Sequence, residues 1–166
     1  GHCTVDTERH KTGVTVILPA PGNLFREKVV GAVHVINGYG KSAGLMQIAE
    51  LGTIEAPIAL TGTLNVGLVT DAMIAAVQAQ CQSDGTGAIP SVNIPVGETN
   101  DGTLNDFSER AVGQSEVFAA LRDAQGSPAF ALGDVGAGKG TICFGLKGGI
   151  GSASRQMEIG GRTFTL

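Results

Sequence analysis

Glycine constrains this chain more than any other residue: there are 26 among its 166 residues, and they cluster where a helix would have to run. In "TICFGLKGGIGSASR", Thr141 to Arg155, four of them (Gly145, Gly148, Gly149 and Gly151) fall within eleven residues of each other and Thr141. Each glycine inside a helix costs about 1 kcal/mol against alanine, so the stretch is not expected to be helical. That decides how the segment before it is read. "GDVGAGKGT", Gly133 to Thr141, follows the phosphate-binding pattern G-x-x-x-x-G-K-[ST] through Gly133, Gly138 and Lys139, but Gly140 stands where the hydroxyl should be, and Thr141 comes one residue late. A phosphate cradle also presents its N–H groups from the first turn of a following helix. With no helix to follow, and 25 residues left after Thr141, nucleotide binding is a rival that ATP titration would test. So many glycines point instead to positive φ or to close backbone approach.

The rest of the chain alternates short β-rich runs with two helical periods. "GVTVILP", "VVGAVHVI" and "APIALTGT" have strand length and Val/Ile content, and "AFAL" and "GTICFGL" flank the glycine loop as further runs of this kind. From Asn65, read as an N-cap, Val69, Ala72, Met73, Ala76, Val77 and Gln80 keep i, i+3, i+4 spacing to a helix end near Cys81. Val117, Phe118, Leu121 and Ala124 do the same from Ser115, with Gly126 as the stop, and "GLMQIAELG" predicts a shorter helix closed by Gly52. No repeat or linker interrupts the pattern, so residues 1–166 are expected to form a single α/β or α+β domain in layers. The chain opens on "GHCTVDT" with a strand under way and closes on the β-rich "GGRTFTL", which raises the expectation that it is one piece of a larger fold.

Composition narrows the function classes. A net charge of −4, with 11 basic residues scattered singly and one tyrosine and six phenylalanines for stacking, gives no face for nucleic acid. The longest uncharged run, Ala56 to Thr70, contains Pro57, Thr61, Gly62, Thr63 and Asn65, which rules it out as a membrane span. The opening residues do not resemble a signal peptide. Cys3, Cys81 and Cys143 are odd in number and lack C-x-x-C or histidine spacing for zinc, so reduced thiols in the cytoplasm are expected and a metal site is not. His2, His10 and His34 read as structural or solvated. "GETNDGTLND" combines Glu98, Asn100, Asp101, Asn105 and Asp106 with Gly97 and Gly102, the ordinary chemistry of turns, and its spacing does not fit a calcium loop.

Three stretches, "NGYGKSAGLMQIAELGTIEAPIALTGTLNVG" (37–67), "VGETNDGTLND" (96–106) and "VGAGKGTICFGLKGGIGSASR" (135–155), taken in order, resemble the larger, N-terminal fragment of the DmpA-like peptidases. That family holds the L-aminopeptidase/D-esterases, the β-peptidyl aminopeptidases and nylon-oligomer hydrolases. The resemblance implies an αββα sandwich related to ornithine acetyltransferase, completed by a second chain cut from the same precursor, and an N-terminal Ser or Thr nucleophile on that β chain just beyond the present residues. An α-amino group with a pKa near 8 can act as base for its own hydroxyl only at an N-terminus, and Ser152, Ser154 and Thr141 have no such amine. It also implies no cofactor, a small peptide, amide or ester as substrate, and an oligomer of αβ units.

The resemblance assigns the glycine loop to the oxyanion hole. Relatives carry Asn before V-G-x-G, where this chain has Asp134, and an ionised carboxylate has no proton to donate to a developing oxyanion. Three resolutions stay open: a protonated Asp134, backbone N–H groups of the Gly136 to Gly140 loop (Gly136 and Gly138 above all), or Asp134 as anchor for the new α-ammonium. A turn Asp without a catalytic role is the plain alternative. Lys139, where a small or hydroxyl residue is usual, is either a solvated lysine or a partner of Asp134. "TGTL" corresponds to a substrate-pocket segment, in which Gly62 and Leu64 offer no grip on a free amine, with core packing as the alternative role of Leu64; Glu98 and Asn100 are candidates for the pocket edge, with an ordinary turn as the alternative. The expected function is the α subunit of a self-processed amidohydrolase or aminopeptidase working through an acyl-enzyme. An acyltransferase of the ornithine acetyltransferase type and a non-catalytic relative are the alternatives.

Overall fold

The computed structural model describes residues 1–126 and 129–166. In chain order the elements are β1 (His2–Asp6), β2 (Lys11–Ile17), β3 (Val29–Val30), α1 (Leu45–Leu51), β4 (Thr53–Ile54), β5 (Ile58–Gly62), α2 (Val66–Ser83), β6 (Val96–Thr99), α3 (Gln114–Gly126), β7 (Ile142–Cys143), β8 (Leu146–Lys147), β9 (Gln156–Ile159) and β10 (Arg162–Thr165). A four-stranded sheet in the order β1-β2-β5-β6 is the frame. β1 and β5 run antiparallel to β2, while β6 runs parallel to β5, with α2 in the connection between them.

β2 is the central strand and is buried on both faces. Val14 and Val16 point to one side and join Ala59 and Val96 in a core with Val69, Met73 and Val77 of α2 and Val117 and Ala120 of α3. Met73, the largest fully buried side chain, sits at the middle of this helix layer; burying one such side chain is worth about 1.5–3 kcal/mol. Thr15 and Gly13, on the opposite side by the two-residue period of a strand, are covered by the glycine turn Gly136–Gly138. Helices on one face and the glycine turn on the other explain why a strand reading "KTGVTVI" is buried almost throughout.

The α/β class expected from sequence is what the chain adopts, and α1 closes at Gly52 in the left-handed region, at φ 66°. Other expectations need correction. "VVGAVHVI" yields only the two-residue β3; Val30 and Ile36 are 92% and 89% exposed. Strand propensity expresses itself through cross-strand partners, and beyond β4 this segment has none among the described residues. "AFAL" is not a strand either; Gly133 makes an isolated bridge to Ile150 beside it. Asn65 does not cap α2: its backbone is already helical and its side chain makes no capping bond, because a short 3₁₀ turn, Thr63–Asn65, leads straight into the helix. Gly97–Thr99, read as part of a turn, belong to strand β6 (Val96–Thr99). "GTICFGL" becomes the hairpin β7–β8, with Phe144 and Gly145 at φ 53° and 75° in its tip.

Candidate active site

The parallel pair β5 and β6 ends at Gly62 and Thr99, which lie opposite each other in the ladder. In open α/β sheets ligands bind outside the carboxyl ends of parallel strands. There the chain makes two turns, Thr63–Asn65 and Asn100–Gly102. Between them lies a cavity of about 160 Å³ lined by Thr63, Leu64, Asn100, Asp101, Gly102 and Phe107. A larger groove of about 920 Å³ lies between the segment around Leu18–Leu24 and helices α2 and α3, and no charged side chain lines it.

The structure brings the sequence-derived pocket residues to this one end of the sheet. Leu64, half exposed, and Asn100 line the cavity. The Asn100 side-chain oxygen accepts the Gly102 N–H at 3.1 Å, holding the turn. Glu98 is half-buried on β6; its carboxylate accepts the Thr63 hydroxyl and the Lys41 N–H. Gly62 is buried against Asp101, and a Cβ there would sit 2.4 Å from Asp101 Oδ2. Asp101 was read from sequence only as a turn residue. It is a carboxylate 5% exposed that accepts the Thr12 hydroxyl at 2.5 Å, and Gly140 of the glycine loop packs on its Cβ. Nothing in a turn sequence separates such an Asp from an ordinary Asx residue. Thr99 Oγ1 donates to the Ala137 carbonyl at 3.3 Å, a second link from strand end to glycine turn.

The glycine turn is seated by hydroxyls. Gly136 N–H donates to Thr4 Oγ1 at 2.7 Å and Ala137 N–H to Thr15 Oγ1 at 3.1 Å. Gly138 N–H donates to the Val135 carbonyl and Lys139 N–H to that of Gly136. Four of the five amides from Gly136 to Gly140 are thus committed to holding the turn, and the expectation that Gly136 and Gly138 offer their N–H groups to an oxyanion meets this physical limit. Their place in the structure is to let the turn lie flat on β2. The threonines could have been suspected, since hydroxyls inside the valine-rich strands "CTVD" and "TGVTVI" need partners on a buried face.

Asp134 and Lys139 form a contact pair. Lys139 Nζ lies 2.7 Å from Asp134 Oδ2 and 2.8 Å from Asp6 Oδ2, and its side chain is 16% exposed, so it is not the free solvated lysine of one sequence reading. Lys147 Nζ lies 2.9 Å from Asp134 Oδ1 and also donates to the carbonyls of Gly138 and Gly148. The Lys139 ammonium, then that of Lys147, hold the Asp134 carboxyl below its usual range. Contact with two ammonium groups favours the ionised form of Asp134 over a protonated donor. Asp6, bonded to Lys11 and Lys139, is pulled down to about 2. The lysine of the phosphate-loop pattern is thus engaged with carboxylates, and a hairpin rather than a helix follows it.

No three His, Cys, Asp or Glu side chains among the described residues converge on a metal position, and no described helix is long and apolar enough to cross a membrane. The profile of peptidase family S58 matches residues 1–166. The chain belongs to this family. Its S58 membership agrees with the DmpA-like resemblance of the sequence. The S58 chain is 40% identical over 158 residues to the β-peptidyl aminopeptidase BapA of Sphingosinicella xenopeptidilytica, covering 95% of this chain and 38% of that protein. It superposes on the crystal structure of the PH0078 protein from Pyrococcus horikoshii OT3 with a TM-score of 0.86 and 43% identity, covering 99% of this chain and 48% of that one. Against the L-aminopeptidase D-Ala-esterase/amidase from Ochrobactrum anthropi, described as a prototype for the serine aminopeptidases and a new variant among the Ntn hydrolase fold, the TM-score is 0.73 at 29% identity, over 95% of this chain and 49% of that one. The S58 chain thus spans less than half the length of each of these relatives.

Proposed function

We propose that this chain is the α portion of a self-processed N-terminal-nucleophile aminopeptidase that cleaves small peptides, amides or esters together with a β chain from the same precursor. The observation that carries it is the meeting of the glycine turn with the ends of β5 and β6 at one edge of the sheet, in a chain of family S58. The β chain would add the second sheet and helix layer of an αββα sandwich, and αβ units would assemble further.

In this reading the hydroxyl oxygen of the β chain's N-terminal Ser or Thr attacks the substrate carbonyl while its proton passes to the α-amine of the same residue. The carbonyl π pair moves onto oxygen. Collapse releases the amine or alcohol with that proton and leaves an acyl-enzyme, which water opens by the same steps. This chain supplies the wall of the pocket: Leu64 and Phe107 its apolar lining, Gly62 the space for Asp101, and Asn100 its polar edge, with Glu98 behind it holding the Thr63 hydroxyl. No step calls for a metal or organic cofactor.

Intact mass and N-terminal sequencing of the protein made from the full gene, with a turnover assay on short amides, test this. Two chains, the shorter beginning with Ser or Thr, and amide hydrolysis are expected. A single uncut chain that hydrolyses amides would overturn it, and transfer of the acyl group to an amine in preference to water would move the protein to the acyltransferase class. The ionised Asp134 favours one second reading, a non-catalytic relative, which a correctly cut but inactive protein would establish.

A further inference from the structure

Two carboxylates are buried among the described residues, Glu55 and Asp101, and their surroundings differ. Glu55 has the Lys28 ammonium at 3.4 Å. Asp101, 5% exposed, has one side-chain partner among the described residues, the neutral Thr12 hydroxyl, and no lysine, arginine or histidine of those residues pairs with it. The cations of this end of the sheet are committed elsewhere: Arg9 to Asp106 and Glu109, Arg110 to the Leu64 carbonyl at 2.8 Å, and Lys41 to the Tyr39 carbonyl and ring. Acidic side chains are rarely buried unless paired, because a charge taken out of water needs a counter-charge to offset the loss. Asp101 borders the 160 Å³ cavity at the ends of β5 and β6. The polar lining there is set to accept. Thr63 gives its hydroxyl proton to Glu98, so toward the cavity its oxygen has lone pairs only, and the Asn100 side-chain oxygen keeps a second lone pair beside the Gly102 N–H.

We propose that this cavity is the subsite for the free amino end of the substrate, with Asp101 as the counter-charge of its ammonium group and Leu64 and Phe107 as the walls for its side chain. This rests on the aminopeptidase reading above. An ammonium group carries three N–H donors and no acceptor, which matches a lining of one carboxylate and two acceptor oxygens and disfavours an anion. Its arrival would pair a buried charge that the chain itself leaves unpaired. The carboxylate is held in place beforehand: a Cβ on Gly62 would lie 2.4 Å from Asp101 Oδ2 and 3.0 Å from Oδ1, and Gly140 packs on the Asp101 Cβ. Gly62 thus contributes to amine binding by lacking a side chain, which lets the carboxylate from the turn after β6 lie against the end of β5. The volume sets the size of the guest. A cavity of about 150 Å³ takes a benzene molecule, so an amino end with about four to six carbons fits and a larger one does not.

The test uses the processed two-chain enzyme made from the full gene, a short amide with a free amine and its N-acetyl counterpart as substrates, and butylammonium and 1-butanol as inhibitors of equal shape. The parent is expected to prefer the free amine in kcat/KM, and butylammonium to compete with it at least about tenfold better than 1-butanol. Asp101→Asn keeps the shape and removes the charge. It is expected to lower kcat/KM on the free amine by about 10- to 100-fold, the range for a hydrogen bond to a charged group, mainly through KM, and to weaken butylammonium by a similar factor, so that the preference over the N-acetyl amide narrows. Equal losses on both substrates overturn the assignment, as does butylammonium inhibition that Asp101→Asn leaves unchanged. Should Asp101→Asn fail to fold, Leu64→Trp decides, because Leu64 is half exposed and a larger ring there fills the cavity. Butylammonium is then expected to weaken at least about tenfold, and inhibition that stays the same overturns the placement. A parent that cleaves neither amide defeats the aminopeptidase reading, and the subsite with it, whereas a two-chain parent that cleaves both equally well defeats the ammonium subsite alone.

Discussion

At the scale of single residues, the chain uses charge and hydroxyls to fix a backbone segment that has little side-chain substance of its own. Thr15 shows the dependence clearly. Its Oγ1, fully buried, accepts the Ala137 N–H and lies 3.0 Å from His2 Nδ1. Thr15→Val keeps the shape and strands a buried backbone donor, for which the cost is about 1–3 kcal/mol; urea unfolding of the processed enzyme should show that loss, and a change below a few tenths of a kcal/mol would disprove the seat assigned to this hydroxyl. The carboxylates give a pH signature. Asp6 and Asp134 both have folded-state pKa values depressed by lysine partners, Asp6 to about 2. A depressed carboxylate contributes stability above its unfolded pKa and loses it as pH falls through the folded value. The loop is therefore expected to hold from neutrality down to about pH 4 and to loosen from there toward pH 2, seen as faster exchange of the Gly136 to Lys139 amides. Loosening between pH 8 and 5 would show that other groups hold it.

Among elements, the parallel β5–α2–β6 unit and the glycine turn carry the site, and glycine earns its place there by contact. Gly136 has φ 51°, and a Cβ on it would lie 2.4 Å from Thr15 Oγ1, 2.9 Å from His2 Nδ1 and 2.9 Å from the Val14 carbonyl. Gly22 has φ 84° with open space around it. Gly136→Ala is thus expected to lower Tm by several degrees more than Gly22→Ala, which meets backbone strain alone. Equal effects, read by thermal unfolding of the two variants, would mean that the turn can lift off the sheet. The helices α2 and α3 were legible from periodicity because one face of each meets the core, and residues such as Val69, Met73, Val77 and Val117 are buried where that periodicity put them. The extended segment after β3 was not, because beyond Val30 "GAVHVI" has strand composition without a ladder partner among the described residues, and composition does not carry the partner's position.

For the whole molecule, the exposed apolar surface is the telling feature. Val30, Ile36, Met46 and Phe144 are 92%, 89%, 89% and 100% exposed, and the hairpin β9–β10 leaves Ile159, Phe164 and Leu166 at 57%, 45% and 73%. Exposure on this scale marks interaction surface or aggregation liability. These 166 residues expressed by themselves are expected to bind a hydrophobic dye strongly and to aggregate, while the processed enzyme binds little dye; equal dye binding by the two, measured by fluorescence at matched concentration, would show that no further chain covers these side chains.

The amino-acid sequence by itself determined the α/β class, the two long helices, the exclusion of a helix after Thr141, the family, and the chemical oddity of Asp134 beside Lys139. These are local or pairwise-in-sequence properties: periodicity, glycine content and ordered motifs are written along the chain. Tertiary structure alone decided what those residues meet. Asp101 became a buried carboxylate because β6 brings it under Gly62 and Gly140; Thr4 and Thr15 became the seat of the glycine turn because two adjacent strands offer their hydroxyls on one face. Asp134 became a partner of two ammonium groups because Lys139, five residues on, folds back to it and Lys147 arrives from the neighbouring hairpin. Each of these depends on distances between segments far apart in the chain or on the direction of a turn, and the balance of charge, burial and hydrogen bonding at a point is fixed only once those distances are.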